Sequence, residues 1–255
     1  MHIVVAIASR VGKIQLTCYN EGPIVGPFFM RNAILAGLLL GMAHGFSVPV
    51  EAEEKITKGY YSYDAMGCML VRDCTDGVKE IHSTLDVSSE YENFEDFTGV
   101  SQEFNNLIMV LKQIDVKVFL ADPKYFPVGH RGVYHTVSNN FYLNKAFMHR
   151  PHVLMSVMRH EGWHAAQDCM AGNIKNNMIA IIKPEEDVPE IWREMVKRTY
   201  PASAQPWEAE ATWAGKTEGM TQKALESCAR GTMWTDYEPT PLTKQWLKEN
   251  GFITK

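Results

Sequence analysis

The chain carries no polybasic run, no cysteine pairs at zinc-finger spacing and no interleaving of aromatic with basic residues. With a formal net charge of only −5, nothing in it points to a nucleic-acid partner. Internal repeats and low-complexity tracts are also missing, which removes solenoid and biased-tail architectures. A long hydrophobic run is lacking too: the clean apolar stretch from Ala33 to Phe46 has about 14 residues, against about 20 needed to span a bilayer. The cysteines are few, and none has ligand spacing to another, which argues against cysteine as a metal ligand. What is present is 255 residues, 45% hydrophobic and 22% charged, in the range of a soluble enzyme domain.

The apolar stretch has the grammar of a secretory signal. Met30-Arg31-Asn32 supplies a short positive start, Ala33 to Phe46 the apolar part, and Ser47 to Ala52 a tail with small residues at Val50 and Ala52. A signal normally begins at the initiator, so the expectation is that Met30 starts translation and that Met1 to Phe29 is an upstream extension. Cleavage after Ala52 then leaves one domain, 53–255, exported to a periplasm or secreted and without stable membrane insertion. A membrane anchor and a buried core helix are the alternatives. Cysteine usage agrees with export. Setting aside Cys18, the remaining Cys68, Cys74, Cys169 and Cys228 are even in number, as suits an oxidising compartment. The favoured pairs are Cys68 with Cys74, a short loop around Asp73, and Cys169 with Cys228; the alternative is four free buried thiols.

The run His160-Glu161-Gly162-Trp163-His164 is where the chemistry concentrates. At 3.6 residues per turn, positions i and i+4 share a face, so both imidazoles can reach one cation. Glu161 points to a neighbouring part of that face, where a carboxylate can take a proton from water whose pKa Zn²⁺ has lowered to about 7. His-Glu-x-x-His arises by chance in roughly two chains in a hundred of this composition, so context must decide. Pro151 can open a helix at its first turn and Gly172 can close it. Between them Val153, Val157, His160, His164 and Asp168 form an inward stripe at helical spacing. Gly162 inside this helix reads either as close packing or as function.

A catalytic zinc normally has three protein ligands and an open position. Pro206 to Ala214 reads as a later helix, in which Glu208 and Glu210 stand about 200° apart so that only one can face a metal. The small Ala211, Thr212 and Gly215 lie on the face of Glu208, which favours Glu208 weakly. His160-Glu161-x-x-His164 followed by Glu-x-x-Ala on a later helix resembles the gluzincin branch of the zincin metallopeptidases. The resemblance implies a zinc site of His160, His164 and Glu208, with Glu161 as general base and a peptide or protein as substrate. Gluzincins often carry an aspartate four residues after the third ligand, where this chain has Thr212, so Glu210 stays open as the alternative. Metzincins would place a glycine and a further ligand where Gln167 and Met170 stand, and that reading fails on ligand chemistry. The same ligands in a non-catalytic, zinc-stabilised binding protein form the rival reading.

Around the motif, Asp168 can ligate or orient a ligand, or serve as a solvated or capping acid. Tyr134, His135, Tyr142 and Tyr200 can each donate to an oxyanion, against a plain core role. His130, His149 and His152 read as surface residues, and Trp163 as packing. Elsewhere, Tyr60 to Ile81 reads as a hairpin region with its turn at Asp76-Gly77, and Glu90 to Asp96 as a surface loop. Val100 to Leu111 reads as a core helix with Ser101 as its cap. Val116 to Leu120, Gly132 to Val137 and Phe141 to Asn144 read as strands, the last two joined by a turn at Ser138-Asn139-Asn140. Pro189 to Arg198 capped by Asp187, Thr217 to Ala229 stopped by Gly231, and Leu242 to Glu249 read as helices. The fold class expected is α+β and zincin-like. A small antiparallel or mixed sheet packs on the active-site helix, its edge strand able to pair with substrate, and a mostly helical part follows.

Overall fold

A computed structural model describes residues 64–174 and 178–254. Met1 to Phe29, the signal-like segment Met30 to Ala52 and Cys18 lie outside the described residues. Where a hairpin region was expected, Met66, Met69 and Leu70 recur at helical spacing and bury one face of a helix, α1 (Asp64–Leu70). Only the second half of that region is extended, as β1 (Val78–Glu80), entered through Gly77 at φ 72°. A further short helix, α2 (Thr84–Ser88), opens with a reciprocal cap between Ser83 and Asp86. The core helix α3 (Ser101–Gln113) buries Phe104, Leu107, Ile108, Val110 and Leu111 as its spacing dictates. Ser101 does not cap it; its hydroxyl donates to the Phe97 carbonyl at 2.8 Å.

Three further strands, β2 (Lys117–Ala121), β3 (Gly132–His135) and β4 (Asn140–Asn144), complete a mixed sheet in the order β1-β2-β4-β3. The β3–β4 hairpin turns through Asn139 at φ 51°, an amide side chain that tolerates the left-handed region. β2 and β4 pair in parallel, and both outer pairs are antiparallel. Alternation gives the sheet two buried faces. Val118, Leu120, Tyr134, Phe141 and Leu143 face the main helical core, while Phe119, Ala121, Val133 and Tyr142 face α1, Tyr125 and Phe126.

The long helix α4 (Pro151–Met170) begins on Pro151, and the chain leaves it through Gly172 at φ 135°. After it come α5 (Glu190–Lys197), α6 (Gln205–Lys216), α7 (Met220–Ala229), α8 (Met233–Asp236) and α9 (Pro241–Glu249). Asp187 sits in a short turn before α5 without capping it, since Pro189 holds the N-cap position. α4 is buried on nearly every side, not along one stripe, because α3, β3, α6 and α7 all pack on it. Its run Val153-Leu154-Met155 and the pair Val157-Met158 supply apolar side chains around the axis to meet them. Gly162 is a packing residue: a Cβ there would lie 2.9 Å from Thr221 Cγ2 of α7. Gly215 does the same for α6, where a Cβ would meet the Ser156 carbonyl at 2.9 Å.

Both expected disulfides are present, with Cα separations of 5.2 Å for Cys68–Cys74 and 6.0 Å for Cys169–Cys228. They are compatible with an exported protein. Among the described residues no helix is long and apolar enough to cross a membrane. Cys169–Cys228 joins the end of α4 to α7 across 59 positions, whereas Cys68–Cys74 closes only 6. Chain-entropy reasoning makes the longer loop the more stabilising. Replacing Cys169 and Cys228 together by Ser is expected to lower unfolding stability by about 2–4 kcal/mol in urea titrations, and the same change at Cys68 and Cys74 by clearly less.

Candidate metal centre

Two helices build the centre. α4 stacks His160 and His164 on one face, their rings 5.0 Å apart between centroids and nearly perpendicular at 83°. α6 approaches closely enough through Ala211 and Gly215 to bring Glu208 against both. Glu208 Oε2 lies 3.4 Å from His160 Nε2, and Oε1 lies 3.7 Å from His164 Nε2. Those distances are too long for good hydrogen bonds. They match the spacing of about 3.4 Å expected between ligand atoms that each lie about 2.1 Å from one tetrahedral cation. Ligand atoms from all three residues lie within 4.8 Å of one another.

Burial makes the fit more telling. Glu208 is 0%, His164 2% and His160 3% exposed, yet both His Nε2 atoms and both Glu208 oxygens lack a hydrogen-bond partner. An unsatisfied buried polar atom costs about 1–3 kcal/mol, so four at one point call for a shared partner. A cation supplies one. Burial lowers the His160 imidazole to about 3 and that of His164 to about 4, so both rings are neutral and carry lone pairs. Burial raises the Glu208 carboxyl to about 7, with the opposing influence of His164 second.

Second partners orient both rings. The Ala211 carbonyl accepts a hydrogen bond from the His160 ring, and His164 Nδ1 lies 2.8 Å from Gln167 Oε1. Thr212 stands where the resemblance leads one to expect an aspartate, and the partner of the His160 ring is the Ala211 carbonyl beside it. Glu210 faces away from the trio. It accepts from Trp163 Nε1 at 3.1 Å, Gln167 Nε2 at 2.8 Å and the main-chain N–H groups of Ile182 at 3.1 Å and Lys183 at 2.6 Å. Glu210 is thus engaged elsewhere in the fold, and it is Glu208 whose oxygens converge with the two His nitrogens. Trp163 is buried as expected and also donates. In the sequence Gln167 counts only against the metzincin pattern; its place three residues after His164, on the same helix face, is the signal for this role.

Glu161 is 0% exposed and neither of its oxygens has a partner. Burial, then the charge of Glu208, hold its carboxyl well above the ordinary range. It faces β3: a Cβ on Gly132 would lie 3.1 Å from Glu161 Oε1. β3 is an edge of the sheet among the described residues. Asn144 N–H donates to the Arg131 carbonyl, and the register pairs Gly132 with Leu143 and Tyr134 with Phe141. By antiparallel alternation, Gly132 and Tyr134 turn their N–H and C=O groups away from β4, and both residues are buried there on the Glu161 side.

The four candidate hydrogen-bond donors separate cleanly. Tyr200 lies beside Glu208 and Glu161; burial, then those two carboxylates, push its hydroxyl well above the phenol range, and the buried oxygen closes no well-formed hydrogen bond. Tyr142 lies on the far face of the sheet, stacked on Phe119 at 5.2 Å. His135 turns to the Ser138 hydroxyl at 2.7 Å in the hairpin turn. Tyr134 donates to Asp168 Oδ2 at 2.9 Å. Of the three histidines expected at the surface, His152 is exposed, His149 is half-buried edge-on to Tyr91, and His130 is buried at 5% because its segment folds under Asn144.

Asp168 is neither solvated nor a cap: it is 0% exposed, and burial raises its carboxyl to about 8 against the lowering effect of Tyr134. An unfolded Asp titrates near about 4. Between those values the folded chain holds a proton that the unfolded chain releases, so this group makes stability fall as pH rises through that window. Asp168→Asn keeps an acceptor for Tyr134 and removes the titration. Its stability relative to the wild type is expected to grow from about pH 4 to about pH 8 in urea unfolding at stepped pH; a difference independent of pH would contradict this.

Comparison with protein-family models, with curated proteins and with solved structures finds no match to this chain. The geometry therefore stands on its own: a buried His160, His164 and Glu208 group that could hold a metal ion.

Proposed function

We propose that this chain is a zinc-dependent peptidase of gluzincin type. The observation that carries the reading is Glu161: a wholly buried carboxylate with two unpartnered oxygens, beside the ligand trio and outside it. A site built only to brace the fold has no use for such a group. His160, His164 and Glu208 hold the ion, and two neutral imidazoles with one carboxylate are the donor set of a catalytic zinc. When bound, Zn²⁺ supplies Lewis-acid chemistry, polarising a carbonyl and lowering the pKa of water to about 7. Glu161 takes the proton of the attacking water and returns it to the leaving amine. Tyr200 donates to the oxygen that gains charge in the tetrahedral transition state. The N–H and C=O groups of Gly132 and Tyr134 face away from β4 on the Glu161 side, and an extended peptide added along that edge sets its scissile bond against Glu161.

The near-complete burial of these groups supports one rival, a zinc-stabilised binding protein without turnover. Hydrolysis of an unfolded protein by the purified full chain distinguishes them. The peptidase reading expects cleavage that stops with a chelator and returns with zinc, and cleavage that resists chelation contradicts it. In the same assay Tyr200→Phe is expected to lower kcat by about 10²- to 10³-fold, with KM and metal content unchanged.

A further inference from the structure

We infer that Glu210 and Gln167 form a positioning relay that fixes which nitrogen of His164 is free to bind a metal. Glu210 thus governs the centre without touching it. The inference rests on the metal-centre reading for its purpose, though not for its test.

The argument runs through donors and acceptors. Gln167 Nε2 lies 3.1 Å from the Trp207 carbonyl and 2.8 Å from Glu210 Oε2. Both of those partners can only accept, so the amide cannot be turned the other way without facing oxygen to oxygen. Gln167 Oε1 is thereby fixed as the atom 2.8 Å from His164 Nδ1. An amide oxygen only accepts, so Nδ1 must carry the proton. The lone pair is left on Nε2, the atom that faces Glu208. Without this chain a neutral imidazole would divide between two tautomers, and one of them places a proton where the metal must bind.

Glu210 in turn is held by three parts of the fold. Trp163 anchors it from α4, the Ile182 and Lys183 amides anchor it from the segment beyond α4, and its own backbone belongs to α6. The same carboxylate therefore ties the helix carrying Glu208 to the ring nitrogen of His164. His160 is served separately, by the Ala211 carbonyl, and acts as an internal control.

The test is imidazole nitrogen NMR on the full chain after the metal has been stripped. In the wild type His164 should be the Nδ1–H tautomer; an Nε2–H ring or an even mixture overturns the relay. Gln167→Met keeps the length and removes both polar ends. It should shift His164 toward the Nε2–H form while His160 is unmoved, and weaken zinc binding by about 10- to 100-fold in chelator competition. An unchanged His164 tautomer in this variant also overturns the relay. If Gln167→Met does not fold, the wild-type spectrum alone decides. Absence of peptidase activity would leave this result intact, so failure of the relay and failure of the proposed reaction are separate outcomes.

Discussion

Glu161→Gln is expected to lower peptide hydrolysis by about 10²- to 10⁴-fold while the protein keeps its metal. The substitution preserves length and shape and exchanges a base for an amide that cannot accept a proton. It holds no ligand in place, because Glu161 lies outside the ligand trio. Burial, reinforced by the charge of Glu208, raises its carboxyl well above the usual range. KM should change little if the peptide binds along the β3 edge as proposed. The check is steady-state kinetics paired with metal analysis of the same sample. Undiminished turnover with metal in place would remove Glu161 from the mechanism.

Glu208→Gln is expected to strip the centre of zinc, weakening binding by more than the 10- to 100-fold typical of losing an outer partner. An amide keeps the volume of Glu208 but lacks the charge and donor strength that a carboxylate gives the ion. Loss of metal would not reflect loss of fold. Burial raises the Glu208 carboxyl from its ordinary 4.5 to about 7, so without metal the folded chain is penalised as pH rises through that interval. The metal-free variant should accordingly be at least as stable as the metal-free wild type above pH 7, as urea unfolding would show. The same proton makes zinc affinity fall by about tenfold per pH unit below pH 7 in the wild type. The histidines contribute nothing to that slope, since burial holds them at about 3 and about 4. A variant retaining wild-type affinity would return the third position to another residue.

Much of this centre was legible in local sequence. His160, Glu161 and His164 lie within one turn and a half, Pro151 and Gly172 bound their helix, and the angular separation of Glu208 and Glu210 meant that only one could face the metal. The disulfide pairs were legible as well, because so few cysteines leave few pairings. The remainder depends on contacts distant in sequence. Parallel pairing of β2 with β4 follows from the path of the chain through β3, which no strand pattern encodes. Tyr200 could not be told from Tyr134 and Tyr142 until packing placed one beside Glu208, one against Asp168 and one on the far side of the sheet. Asp168 resembles any acid near a helix end, and its burial and its Tyr134 partner on β3 come from contacts distant in sequence. Gln167 was read simply as the wrong residue for a metzincin. Its role arises from Glu210 and Trp207, which approach it from a different helix.

The most direct test of the zinc centre is the metal content of the full chain purified without chelator, measured beside Glu161→Gln and Glu208→Gln. Near-stoichiometric zinc in the wild type and in Glu161→Gln, with little in Glu208→Gln, is the predicted result. A wild-type protein free of zinc, or equal zinc in all three, would contradict the assignment of His160, His164 and Glu208.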